Sequence, residues 1–310
     1  MNPSVDFTYF IDHFNLGELN RTKNPTRSIG GKGINAGRAA ALSGAEVLLT
    51  GFLGGKLGHL TRKHLKEEGL FRIQMCDISE ETRSAITVMH DNHLHTEIVE
   101  EGPFIKDEEI FALLATVKKV VASEPVSSIL ICGSVNSNNE HIFEQMIAYI
   151  RQEISQAIPV LVDISGLQLK QILTTKGKKP TFIKPNEHEL SYFFQTDIQT
   201  KEEAHHALQD ESFRDIPYVI ASLGEKGAVC KVENDFYQVS IPTIPIQSVT
   251  GSGDATVGGF AYALEEKFDI IEAIKYAMAC GMSNAQHKET GMIDKKAVFQ
   301  FMEDIIVEKI

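Results

Sequence analysis

Thr250-Gly251-Ser252-Gly253-Asp254 puts two glycines, a hydroxyl and a carboxylate within one short stretch, a combination suited to phosphoryl transfer. Ahead of it Ile244 to Val249 can run extended, and behind it Ala255 to Leu264 is rich in Ala and Gly and reads as a helix packed close to a neighbour. Gly251 and Gly253 let the turn take angles closed to other residues, so successive N–H groups at the positive end of the helix can point into one concavity. Anionic oxygen belongs there. Asp254, in the first turn, can accept the proton of an attacking hydroxyl while the amides of Gly251, Ser252 and Gly253 hold the charge that develops on the transferred group. Alone, the motif reads as an ordinary N-cap by Ser252 or Asp254.

Other motifs stand ahead of it. Ser28-Ile29-Gly30-Gly31-Lys32-Gly33-Ile34-Asn35 leads into an Ala-rich helix, Ala36 to Leu42, ended by Gly44. Lys184-Pro185-Asn186-Glu187-His188-Glu189 and Ser222-Leu223-Gly224 each follow an apolar run. Gly31 to Ala36 also fits the dinucleotide fingerprint Gly-x-Gly-x-x-Gly/Ala, but the context excludes it. Asn20 to Thr26 is polar where a buried strand is required, and the next acidic residue, Glu46, begins the following strand instead of ending it. No Gly-x-x-x-x-Gly-Lys-Ser/Thr occurs, so this is not a P-loop. Asn186 and Glu189 share a face at a helix start and make a sound capping box.

The elements that must position these residues alternate. Val47 to Thr50, Ser128 to Cys132, Pro159 to Asp163, Thr181 to Lys184 and Tyr218 to Ser222 read as short apolar strands, separated by helical stretches such as 107–122, 139–155 and 187–195. Such alternation predicts an α/β fold, a parallel sheet with helices on both faces. Ligands then bind beyond the carboxyl ends of the strands, where Asp163, Lys184, Asn186, Ser222 and Gly224 fall. Phe7 to Ile11, and Ser84 to His90 with Leu94 to Val99 across an Asp91-Asn92 turn, alternate instead like a small sheet with one wet face. They read as a lid.

Composition narrows the function. The 310 residues are 43% apolar and can bury a sizeable core. A net charge of −12 excludes a nucleic-acid or anionic-membrane binder, so phosphates must be met by backbone amides and a few cations, with Arg27, Lys32 and Arg83 as candidates. Cys76, Cys132, Cys230 and Cys280 form no Cys-x-x-Cys pair and read as small buried hydrophobes. No signal segment and no apolar run of about 20 residues is present, which makes the cytoplasm the expected location. His90, His93 and His95 raise a metal hypothesis, opposed by the lack of clustered carboxylates or a Cys to join them.

From Asn2-Pro3-Ser4-Val5-Asp6 to Glu289-Thr290-Gly291 the motifs stand in one order, and in that order the chain resembles the PfkB-type carbohydrate kinases of the ribokinase superfamily. Within them it is most similar to the 1-phosphofructokinase and tagatose-6-phosphate kinase branch. The resemblance implies a ribokinase-like three-layer sandwich with a mostly parallel central sheet, a single domain over 1–310 with lid strands inserted at about 7–23 and 83–101, and a homodimer formed through the lid. It implies ATP and Mg²⁺ as cofactors and a ketohexose monophosphate as acceptor, phosphorylated to the bisphosphate. Another sugar or nucleoside kinase of the same fold, or a catalytically weak sugar-phosphate sensor, remain as alternatives.

By the same resemblance Asp254 is the base, and Gly31, Gly33 and Asn35 approach the sugar. Asp6 bonds its hydroxyls, and Gly133-Ser134 matches the family's Gly-Ser at a strand end. Lys32 and Arg83 meet the phosphate that the sugar already carries. Lys184, Ser222 and Gly224, with Asn284 near adenine, lie along the nucleotide, and Asn186 and Glu189 support Mg²⁺ through water. Two features depart from the family pattern. Met1 stands directly against Asn2-Pro3-Ser4, where family members carry an apolar strand, so an edge or central strand is expected to be missing or the sequence to be shortened; and Val135 to Asn139 replaces a proline-rich turn.

Overall fold

The computed structural model describes residues 1–91 and 94–310. In chain order β1 (Ser4–Phe10) and β2 (Thr26–Gly30) precede α1 (Lys32–Ser43), β3 (Val47–Leu49), β4 (Phe52–Gly54) and α2 (Gly55–Glu68). Then come β5 (Phe71–Ile73), β6 (Cys76–Ile78), β7 (Arg83–His90), β8 (Leu94–Val99), α3 (Asp107–Ser123) and β9 (Ile129–Cys132). The middle of the chain forms α4 (Ile142–Tyr149), β10 (Val160–Asp163), α5 (Gly166–Thr174), β11 (Phe182–Ile183), α6 (Glu187–Phe194), α7 (Lys201–Leu208) and β12 (Tyr218–Ser222). The last part is β13 (Ala228–Val232), β14 (Asp235–Ser240), α8 (Ser252–Glu265), α9 (Ile270–Ala285), α10 (Lys295–Asp304) and β15 (Ile306–Lys309).

Period two explains the layers. Strands β9, β10, β11 and β12 lie side by side and parallel, and successive side chains point to opposite faces. Val160, Val162, Ile183, Val219 and Ala221 join one core with Leu113, Ile147, Leu169 and Leu190 of α3, α4, α5 and α6. The alternate residues Leu161, Phe182 and Ile220 join a second core with Phe260 and Tyr276 of α8 and α9. A sheet buried on both faces requires continuous apolar strands, the pattern that made them legible. The antiparallel extension β13, β14 and β15 on one edge went unread, because Lys231, Asp235 and Gln238 interrupt its apolar pattern. Parallel strands end together, so Cys132, Asp163, Ile183 and Ser222 close one rim.

Several local readings change. The segment 139–155 becomes α4 with a wider final turn, Ile150–Ile154. Asn139 stays outside it, its side chain accepting from the His141 amide. Ile244 to Val249 forms no regular strand. The turn after Ser134 is fixed without proline: Val135 is buried, Asn136 donates Nδ2 to the Gly102 carbonyl at 3.1 Å, and its own carbonyl accepts from Ile105.

The lid is a four-stranded sheet in the order β2-β1-β7-β8. It uses β2, which the polar run before Thr26 concealed, so its first part reaches Gly30. Strand β8 is exposed at every position and has no dry face; the buried side of the lid is made by Val5 and Ile29, over Leu53 and Leu65. The Asp91-Asn92 turn and the His93 metal hypothesis involve Asn92 and His93, which lie outside the described residues. Among the described residues no helix is long and apolar enough to cross a membrane.

Helix α8 is held between α1 and α9 by its lack of side chains at Gly258 and Gly259. A Cβ on Gly258 would run into the Ala36 carbonyl of α1. This approach sets Asn35 against the first turn of α8. Gly258→Ala must therefore push α1 away and is expected to destabilise the protein by about 1–3 kcal/mol. Urea unfolding measures it, and an unchanged midpoint contradicts the contact.

Candidate active site

The first turn of α8 opens at the rim. Gly251 is its N-cap at φ 82°, with a Cβ position only 3.0 Å from Cβ of Thr290, so both backbone and space require glycine. Asn284 of α9 fixes the turn: its Nδ2 donates to the Thr250 carbonyl at 2.9 Å and to Ser252 Oγ at 3.1 Å, and its Oδ1 accepts from the Gly291 amide at 2.7 Å. The side chain is buried and its amide is fully engaged, so Asn284 holds the turn. The Ser252 amide is also taken, by the Val249 carbonyl at 3.2 Å. Among the described residues the amides of Gly251, Gly253 and Asp254 have no acceptor, which leaves an anion cradle one donor different from the expected set.

Asp254 lies just behind that cradle, buried, with Oδ2 accepting from Asn35 Nδ2 at 2.8 Å. Burial, and then the charge of Asp163, raise its pKa to about 7, against the pull of Lys32, Asn35 and Lys184. Asp163, at the end of β10, shows the opposite balance. Burial would raise it, but the charges of Lys184 and Lys32 hold it below the usual carboxylate range. Lys32 Nζ donates to Asp163 Oδ1 at 2.9 Å and stands 3.8 Å from Glu189 Oε1. Burial opposes the ammonium charge, yet Asp163, Glu189 and Asp254 raise its pKa above the ordinary lysine value. Lys184 is buried with Nζ 2.8 Å from where a Cβ of Gly253 would lie, which puts a second cation against the cradle. Two carboxylates of unequal proton affinity thus share one buried site with two lysines.

Behind Asn35 runs a chain that the sequence reading missed. Asn35 Oδ1 accepts from Thr290 Oγ1 at 2.9 Å and from Arg38 Nη1 at 3.4 Å, and Arg38 also donates to the Thr290 carbonyl at 2.7 Å. Glu68 receives the other side of the guanidinium at 3.2 and 2.8 Å. This fixes which way the Asn35 amide faces, so that Nδ2 points at Asp254. The available signal was an arginine in an Ala-rich helix three residues after Asn35, on the same face.

At the base of the lid Asp6 accepts from Ser4 Oγ at 2.6 Å and packs on Gly30. Burial raises its pKa, partly offset by Ser4 and Arg83. Arg83 opens β7 opposite Ser4. Its Nη1 donates to the Glu100 carbonyl at 3.3 Å, and its buried Nε has no partner among the described residues. Lys32, read from sequence as a second cation for the same phosphate, is bonded to Asp163 and stands near Glu189. Gly31 caps α1, Gly33 packs over Cys132, and Ser134 is half-buried just beyond β9.

On the other flank Asn186 and Glu189 form the capping box of α6, Asn186 Oδ1 accepting from the Glu189 amide at 2.8 Å and Glu189 Oε2 from the Asn186 amide at 3.0 Å. Only Oε1 of Glu189 is left to face Lys32. Asn186 bridges in parallel to Ser222, and Gly224, at φ 57°, begins the turn that follows. Among the described residues no three His, Cys, Asp or Glu side chains come together as a metal cage, and His90 is already bonded to Asp91 at 2.7 Å and Thr96 at 2.9 Å.

Residues 1–296 match the family model described as pfkB family carbohydrate kinase. This chain belongs to that family. It is accordingly a phosphotransferase with an alcohol acceptor. Solved structures agree on the fold. A Thermotoga maritima protein described as a possible 1-phosphofructokinase is 23% identical, with a TM-score of 0.85 over 100% of this chain and 98% of that one. Phosphofructokinase-2 from Escherichia coli, in complex with substrates and products, is 23% identical with a TM-score of 0.84, over 98% of this chain and 96% of that one. The same enzyme is also known in a tetrameric inhibited form, matched at 22% identity and a TM-score of 0.85 over the same shares of the two chains. At these identities the likeness establishes the ribokinase-like α/β fold with its lid.

The raised proton affinity of Asp254 has a consequence for stability. Its folded pKa of about 7 lies above the ordinary 3.8, so the stability it contributes is present below pH 4 and is lost as pH rises through 7. Asp254→Asn removes that loss. The variant is expected to melt roughly 3–5 °C above wild type at pH 8, with the gain shrinking toward pH 5. A Tm difference that is flat across this range contradicts the assignment.

Proposed function

We propose that this site transfers the terminal phosphoryl of ATP to a primary hydroxyl of a ketohexose monophosphate, fructose 1-phosphate or tagatose 6-phosphate, giving the bisphosphate. The observation that carries the reading is Asp254: a buried carboxylate poised near neutrality, within one helical turn of amides that have no acceptor. With Oδ2 held by Asn35, Oδ1 is left to take the proton of the acceptor hydroxyl as that oxygen attacks phosphorus. The amides of Gly251 and Gly253 and the ammonium of Lys184 receive the charge that spreads over the transferred oxygens. Lys184 and Lys32 keep Asp163 ionised, and the charge of Asp163 adds to burial in keeping the proton affinity of Asp254 high enough to act as base.

The acceptor's existing phosphate is assigned to Arg83, whose partly free guanidinium stands beside Asp6, the carboxylate assigned to sugar hydroxyls. Gly31, Gly33, Asn35 and Ser134 line the approach, and ATP lies along the rim from Gly253 past Lys184 to Ser222 and Gly224. Mg²⁺ keeps most of its water and needs few carboxylates. Asp163 Oδ2, buried and without a partner among the described residues, and Glu189 Oε1 are oxygens of that kind, so the residues fit. Bound there, the ion neutralises the phosphate oxygens of ATP. Asn186 supports it only by holding Glu189.

We read residues 1–310 as one kinase domain with the lid as an insertion, working in the cytoplasm without nucleic acid or membrane. A second copy is assigned to the lid, where Phe10, Leu94 and Ile98 expose apolar side chains. The test of the activity is ADP release with a panel of sugars and sugar phosphates. A sugar monophosphate is expected to be preferred, and Asp254→Asn to lower kcat by about 10²–10⁴-fold. Arg83→Ala is expected to raise KM for the sugar phosphate at least ~10-fold with KM for ATP little changed, the loss of one charge-assisted bond. Equal turnover of unphosphorylated hexose overturns the substrate class, and an unchanged KM overturns the place of its phosphate.

A further inference from the structure

Arg38 is the charged residue of the run Ala36-Gly37-Arg38-Ala39-Ala40 in α1, and only 6% of it is exposed. Burying a guanidinium is costly unless its donors are met. Nε and Nη2 donate to the two oxygens of Glu68 at 3.2 and 2.8 Å, and Nη2 also to the Ile29 carbonyl at 3.4 Å. Nη1 donates to the Thr290 carbonyl at 2.7 Å and to Asn35 Oδ1 at 3.4 Å. A guanidinium has five N–H groups, and all five have acceptors here. The acceptors come from β2, α2 and the loop after α9 as well as from α1, so the group cannot turn without breaking bonds to several elements.

The bonds to Glu68, Ile29 and the Thr290 carbonyl hold the guanidinium; the contact with Asn35 passes its polarity on. A guanidinium only donates, so the Asn35 atom that faces it is the oxygen. The amide nitrogen is then turned to the other side, where Nδ2 meets Asp254 Oδ2 at 2.8 Å. Thr290 Oγ1, also on Asn35 Oδ1, does not select this orientation by itself, because a hydroxyl donates or accepts and serves the amide either way round. At 3.4 Å the Arg38 contact is long for a hydrogen bond, but a reversed amide would point N–H groups at a buried cation. It would also set its oxygen against the carboxylate of Asp254, and two acceptors in contact repel. The base would be pushed from its place.

We propose that Arg38, held by Glu68, is a positioning residue for phosphoryl transfer: it acts through the Asn35 amide to keep the Asp254 carboxylate aimed at the acceptor hydroxyl. Neither Arg38 nor Glu68 touches the reacting atoms. The role rests on Asp254 as the base and is independent of which sugar phosphate brings the hydroxyl. Because Glu68 ends α2, a helix that also packs under the lid, the base is tied to that half of the chain by side chains and not by backbone alone.

The test is a double-mutant cycle. Arg38→Met with Glu68→Gln removes the guanidinium and its carboxylate together, so no lone charge stays buried and the net charge is unchanged. Asn35→Ala removes the amide through which Arg38 acts. Turnover with the best acceptor of the panel and KM for ATP are read for the pair variant, for Asn35→Ala and for the combination. The pair variant is expected to lower kcat at least ~10-fold with KM for ATP little changed. Once Asn35 is replaced, the same pair is expected to change kcat by no more than about twofold. An equal loss in both backgrounds means that Arg38 only supports packing and overturns the proposal, as does an unchanged kcat in the first. A second measurement needs neither acceptor nor a refolded pair variant. In ¹⁵N-labelled protein the Asn35 side-chain amide, assigned by its loss in Asn35→Ala, is expected to move upfield in Asp254→Asn, where a neutral acceptor replaces the carboxylate. A signal that stays in place shows the amide turned away from the base and overturns the proposal, whatever the acceptor.

Discussion

Everything at the rim depends on one electrostatic constraint: two carboxylates, Asp163 and Asp254, buried together, where desolvation and their mutual repulsion oppose the ionisation of both. Lys32 resolves it asymmetrically, because its hydrogen bond goes to Asp163. Burial, and then the charge of the ionised Asp163, raise its neighbour. An isolated buried carboxylate would be protonated and useless as a base, and a fully paired one would hold no proton near neutrality. The pair gives an ionised Asp163 beside an Asp254 poised between those two limits.

The fold supplies the geometry for this. Parallel strands bring Asp163 and the segment after Ile183 to one rim, while α1 and α8 come from the other half of the chain. The two helices approach through the bare backbone of Gly258, which carries Asn35 to Asp254 across 219 positions of sequence. Glu68, Arg38 and Thr290 then orient the Asn35 amide, so a lid-side helix and a C-terminal loop take part in setting one proton affinity.

Much of this was readable beforehand, for physical reasons. Strands buried on both faces are apolar throughout, so β9, β10, β11 and β12 were found almost at their true bounds. The glycine-rich turns were legible because few residues tolerate Gly251's backbone angle. What escaped was long-range pairing. Nothing local shows that Lys32 turns to Asp163, that Arg38 serves Asn35, or that Asn284 spends its amide on a turn 34 positions away. The antiparallel strands β13 to β15 escaped because polar residues break their pattern.

The central claim is the proton affinity of Asp254, raised by burial and then by the charge of Asp163. Carboxyl ¹³C NMR of aspartate-labelled protein, with the Asp254 signal assigned by its loss in Asp254→Asn, measures it directly. The account predicts a midpoint near 7 in the wild type that falls in Asp163→Asn. A midpoint near 4, or one that Asp163→Asn leaves in place, contradicts it.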